Sequence, residues 1–182
     1  MRPIVLSMCV FAAACSDRAL NSPTSPTSAA GAPAQTQAQH ATQLPFRGSF
    51  SGGSTGEVNC PPTCPPTTLR IAGDVEGTAT HLGRFTATSV DVVNMATTRS
   101  TGTFDLTAAN GDHLFTTTTG VEDEFIPPNI SHVTLDAMIV GGTGRFVAAT
   151  GTFTMRHIST IDFAAGTASE SGSFEGQINL NK

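Results

Sequence analysis

From Leu44 onward the chain alternates apolar and polar residues with a period of two. In "LRIAGDVEG", Leu69, Ile71, Gly73 and Val75 fall on one side, and Arg70, Ala72, Asp74 and Glu76 on the other. "GTFDLTAA" sets Phe104, Leu106 and Ala108 against Thr103, Asp105 and Thr107. "VTLDAMI" and "GSFEGQINL" do the same, with Val133, Leu135, Ala137 and Ile139 in the first and Phe174, Gly176, Ile178 and Leu180 in the second. This is the periodicity of strands with one dry and one wet face. No window of comparable length carries a 3.6-residue stripe. Asn110-Gly111 is a strong hairpin signal between two such runs. "GGTG" at 141–144 and "AAGT" at 164–167 separate further pairs. The count is about eight strands over 45–181, all antiparallel. A chain of hairpins without helices must protect its edges. The expected fold is therefore all-β, a single eight-stranded antiparallel β-barrel.

The dry face predicts the barrel lining: Leu69, Ile71, Val75, Phe104, Leu106, Val133, Leu135, Ile139, Phe153, Phe174 and Ile178. A one-residue slip would turn all of them outward. Gly48, Gly73, Gly151 and Gly176 share that face and remove volume, so a modest apolar cavity is expected there. Gly-Ser/Thr-Phe recurs at 48–50, 102–104, 151–153 and 172–174, at irregular spacing. The glycine-rich "GGTGRFVAATGTFT" invites comparison with phosphate loops. The dinucleotide pattern fails, because Val147 occupies its third glycine position and no helix follows. The Walker pattern fails for want of a lysine. The stretch reads as a turn followed by a strand in which Val147, Ala149, Gly151, Phe153 and Met155 share a face.

"GGTGRFVAATGTFT", with "THLGRFTATSVDVVN" and "TGTFDLTAANGDHL", resembles the barrel domains of allene oxide cyclase and dirigent proteins, a calycin-like architecture. The resemblance covers about residues 45–181. It implies an eight-stranded barrel, with an interior that holds a fatty-acid epoxide in the plant cyclase. None of that enzyme's functional residues can be matched to positions here. The chain also lacks tyrosine.

The N-terminal segment reads differently. Arg2 precedes the apolar run "IVLSMCVFAAA", too short to span a bilayer, and residues 1–14 read as a signal peptide. "FAAAC" resembles a bacterial lipobox, which would make Cys15 a lipid carrier; ordinary cleavage after Ala12-Ala13-Ala14 is the rival. Residues 15–44, rich in Ser, Thr, Pro, Ala and Gln, read as a disordered tether that includes His40. Roughly 30 flexible residues span about 30 Å. The barrel domain would then be 45–182. Export, at a bacterial cell envelope or as a secreted protein, also suits Cys60 and Cys64 in "CPPTCPP" as a small disulfide loop. Free thiols are the alternative. Too few further ligands stand nearby for zinc, and the prolines forbid the helix of a redox motif.

Charged residues make up only 13% of the chain, the net charge is −5, and Lys182 is the only lysine. No basic cluster supports a nucleic-acid surface. The absence of tryptophan and tyrosine removes the aromatic girdles of a transmembrane barrel. His81, His113, His132 and His157 are scattered, with no metal-ligand spacing, and no cofactor is expected. Glu122-Asp123-Glu124 reads as a solvated loop. Asp105 and Asp136 belong to the wet face. Asp91 falls where the alternation is unclear. No nucleophile elbow and no Cys-His pair is visible. The expected function is a lipid-anchored, non-enzymatic barrel that binds a small apolar ligand or an envelope partner. The alternative is a cyclase or isomerase acting on a fatty-acid-derived substrate. A purely apolar interior favours the first, and buried polar groups favour the second.

Overall fold

A computed structural model describes residues 43–58 and 68–180. The signal segment, nearly all of the tether, and Cys15, Cys60 and Cys64 lie outside the described residues. Eight strands follow one another: β1 (Gln43–Glu57), β2 (Thr68–Ala79), β3 (Gly83–Asn94), β4 (Arg99–Ala108), β5 (His113–Ile126), β6 (Ile130–Gly142), β7 (Thr150–Asp162) and β8 (Thr167–Asn179). Each pairs antiparallel with its neighbour in sequence, and β8 closes onto β1. Ladder partners can be followed from Ser54 through Gly73, Ser89, Phe104, Thr116, Ile139, Gly151 and Ile178. The path returns to β1 at Leu44, ten residues from its start. That stagger tilts the strands and closes the barrel, so no edge is left to aggregate. Asn110-Gly111 makes the β4–β5 turn, with Gly111 at φ 84, a value that suits glycine.

One end of the barrel carries the turns after β2, β4 and β6, and it is solidly apolar. The rings of Phe46, Phe153 and Phe174 meet with centroids 5.0–5.2 Å apart. Phe85 packs on Phe174 at 6.2 Å, and Leu82, Leu114 and Ile178 are buried around them. The expected apolar cavity is absent at the glycines that were to create it. Phe174 lies over Gly48, Phe153 over Gly176, the Ser89 hydroxyl over Gly73, and β8 backbone over Gly151. A ring fills the space at Gly48, and backbone, a Cβ or a hydroxyl fills it at the other three, as close packing demands.

The stretch after Gly144 also departs from expectation. Gly144–Phe146 form one turn of 3-10 helix, and β7 starts only at Thr150. Val147 is 67% exposed, so it does not share the face of Phe153 and Met155. Strict alternation would have turned Phe146 outward and Val147 inward. The helical turn reverses this and buries Phe146 completely, which gains more apolar area than burying a valine. Arg145 serves this turn: its backbone N–H donates to Asp112 at 3.3 Å, and its guanidinium sits 4.8 Å over the Phe146 ring.

Of the expected lining, Phe104, Leu106, Leu135, Ile139, Phe153, Phe174 and Ile178 are buried. Leu69, Ile71, Val75 and Val133 fall on the inner face but are only half-buried. They stand toward the other end of the barrel, where the interior is not filled with rings.

Candidate functional site

The inner face of the second end, below the turns after β3, β5 and β7, mixes the half-buried Leu69, Ile71, Val75 and Val133 with polar groups. Alternation carries the polar groups there strand by strand. On β3, Phe85, Ala87, Ser89 and Asp91 share the inner face, and Asp91 is 9% exposed. On β7, Phe153, Met155, His157 and Ser159 share it. On β8, Phe174 is followed backward along the chain by Gly172, Glu170 and Ala168. Each of these three strands therefore leads from the apolar plug to a titratable or hydroxyl group inside the barrel.

Glu170 is held from both sides. One carboxyl oxygen accepts the Ser54 hydroxyl of β1 at 2.6 Å, and the other accepts the Ser159 hydroxyl of β7 at 2.6 Å. His157 Nε2 stands 3.4 Å from the second oxygen. Burial pushes the His157 imidazole below its ordinary value, and Glu170 pulls in the opposite direction. The other ring nitrogen, Nδ1, is buried and has no hydrogen-bond partner. Phe50 lies beside the imidazole, at 6.2 Å between ring centres.

Asp91 is reached from β5, across β4. Its Oδ1 accepts the Thr118 hydroxyl at 3.2 Å. The residue between them in the ladder is Gly102, whose Cβ would collide with the Asp91 carboxyl group. A glycine is therefore required for this contact. Burial raises the Asp91 pKa from 3.8 to about 6; the Thr118 bond opposes this and the nearby Glu170 adds to it. One inward position deeper on β5, Thr116 is 2% exposed and its hydroxyl has no partner. Toward the rim, Glu122 is half-buried and pairs in register with the inward Val133.

No arginine or lysine among the described residues falls on the inner face. Arg47, Arg70, Arg84, Arg99 and Arg156 occupy outward positions of their strands, and Arg145 lies in the 3-10 turn. Asp91, Glu170 and His157 do not converge closely enough to form a set of metal ligands. The remaining sequence candidates stay apart. Asp105 and Asp136 face outward, Asp105 paired with His113 at 2.7 Å and Asp136 accepting from Thr154 at 2.9 Å. His81 sits in the β2–β3 turn against the Pro45 carbonyl, and His132 is on the outer face of β6. A shallow groove of about 530 Å³ crosses the outside of β1–β4, past Ser49, Glu76, Thr78 and Arg84. Buried Phe50, Phe85 and Ala108 form part of its lining, but its ionisable groups, Glu76 and Arg84, are exposed, so the interior is the better site. Glu170 and His157 were missed as site residues in the sequence. The signal was present, because continuing the Phe153 and Phe174 faces by two-residue steps lands on both.

No protein-family model matches the chain, and no curated protein matches its sequence. Among solved structures, the barrel is similar to that of the pterocarpan synthase dirigent protein GePTS1. The identity is 16%, over 84% of this chain and 97% of that chain, with a TM-score of 0.47.

Proposed function

We propose that this barrel binds a small organic molecule in the polar half of its interior. The observation that carries the reading is the inward placement of Asp91, Glu170 and His157. Burying ionisable groups costs free energy, and a barrel built only for packing would place apolar side chains there, as its other half does. Two buried groups, Thr116 Oγ1 and His157 Nδ1, lack the partner that a bound molecule would supply. The test is a titration of isotopically labelled protein with three probes of one shape: 2-phenylethanol, 2-phenylethylamine and 3-phenylpropanoate. Amide shifts along the inner positions of β3, β5, β7 and β8 with any of them support the site. Absence of such shifts with all three overturns it.

A second reading is favoured by Asp91. A carboxyl group whose pKa is about 6 can give or take a proton near neutrality, as general acid–base chemistry requires. In that reading the barrel is a cyclase or isomerase of the allene oxide cyclase kind. We further propose that the protein is exported and anchored by lipid on Cys15, with Cys60 and Cys64 joined as a disulfide. Cys15→Ala should release it from membranes, and thiol labelling should find Cys60 and Cys64 unreactive.

A further inference from the structure

We propose that the molecule taken by the barrel interior is a small organic cation, a protonated amine held between Asp91 and Glu170. This rests on the binding reading above and adds the sign of the ligand's charge. The inner face carries Asp91, Glu170 and, at the rim, Glu122, and no arginine or lysine among the described residues joins them. Among the described residues the inward histidine is His157, and burial holds its imidazole below its ordinary value, which disfavours it as the counter-charge near neutrality. Carboxylates in a low-dielectric space repel one another and gain from a cation of the right size. Each is also polarised toward a donor. Glu170 accepts two hydroxyls, Asp91 accepts one, and the hydroxyl of Thr116 beneath them is buried and unpartnered. An ammonium head has three N–H donors and no acceptor, which suits a pair of carboxyl groups. A hydrocarbon tail would lie toward Phe50, Val75 and Val133, the apolar members of the same end. A free fatty acid, or any other anion, would meet like charge.

The charge argument also sets a pH dependence. The charged group that acts on Asp91 is Glu170 from β8; the ladder neighbours of Asp91, Ile71 on β2 and Gly102 on β4, do not titrate, and β5 presents the Thr118 hydroxyl. Below about pH 6 Asp91 holds its proton and offers no charge, so amine binding should strengthen as the pH rises through that value.

The experiment compares the affinities of the three phenyl probes on the folded full chain. The amine is expected to bind at least about tenfold more tightly than the alcohol, the margin of one charged hydrogen bond, and the carboxylate more weakly than either. Asp91→Asn should weaken the amine's binding more than the alcohol's and so remove most of the amine's advantage. Glu170→Gln is the second variant, should Asp91→Asn fail to give a native amide spectrum. Equal binding of alcohol and amine would overturn the cation inference and leave the binding site standing. So would tighter binding of the carboxylate. Shifts reproduced by potassium chloride at the same ionic strength would assign the site to an inorganic cation and overturn it too. If none of the probes binds, both the inference and the reading beneath it fail.

Discussion

The two ends of the barrel interior are built from the same strands and solve opposite problems. At the apolar end, the rings of Phe46, Phe153 and Phe174 pack together, Phe174 over Gly48, and Phe146 is buried as well. At the polar end, glycine removes side-chain volume for a different purpose: Gly102 lets Thr118 reach Asp91. In the first case the freed space is taken by a ring and contributes stability. In the second it is taken by a carboxyl group, which costs stability unless something binds to it. Packing dominates one half, and the other gives up packing to hold chemistry.

Substitutions can break that contrast, beginning with the plug. Phe46→Ala should destabilise by about 3–5 kcal/mol in urea unfolding, because the ring is wholly buried among other rings. Phe104→Ala, at the boundary between the halves and 8% exposed, should fall at or below the lower end of that range. An equal or larger loss at Phe104 would mean that the polar half is as tightly packed as the plug.

Asp91→Asn should act in the opposite direction. The folded pKa is about 6 against an ordinary 3.8, so between these values the folded protein keeps a proton that the unfolded chain releases. The stability associated with that proton is present below about pH 4 and lost as the pH rises through about 6. At 1.36 kcal/mol per pKa unit the loss is about 3 kcal/mol. The asparagine variant escapes it, and should be more stable than the parent by up to that amount at pH 8 and by almost nothing at pH 4. Unfolding curves at the two pH values check this. His157, shifted downward, acts in the other direction, losing stability as the pH falls below its ordinary range, and it is common to both proteins.

Gly102→Ala should cost about 1–3 kcal/mol, the range for forcing an extra methyl group into a filled space. It should also displace Asp91 from Thr118, so Gly102→Ala in the Asp91→Ala background should cost clearly less. Equal costs in the two backgrounds would separate the glycine from the carboxylate. The smallest effect belongs to the outer face. Asp105 and His113 are paired at 2.7 Å but more than one-third exposed, and His113→Ala should change stability by no more than about 0.5 kcal/mol.

Much of this was legible before folding, and the limits are instructive. Alternation anchored on Phe104 and Phe174 was enough for strands, faces and an eight-stranded closed barrel. Extended two residues at a time from Phe153 and Phe174, it also carries His157 and Glu170 inward, whereas the side of Asp91 was left open and only the fold places it inside. The misjudgment was to assume that an inner face is dry along its whole length. Charged residues usually point to water, and Glu170 in "ASESGSF" looks like a wet-face residue until Phe174 sets the parity. Phe146 failed for the converse reason: its own parity pointed outward, and the 3-10 turn overrode it because an exposed ring costs more than an exposed valine.

The sequence by itself determined the period of two, the turns and therefore which residues share a face, because side-chain direction in a strand follows from local geometry alone. It also determined that the chain has few cations to place anywhere. Only the tertiary structure decided which inner residues meet. Ser54, Ser159 and Glu170 lie on β1, β7 and β8, up to 116 residues apart, and are brought together by barrel closure and its ten-residue stagger. Closure is a property of the whole sheet. No local pattern encodes that one end of its interior fills with rings while the other takes in two carboxyl groups and a histidine.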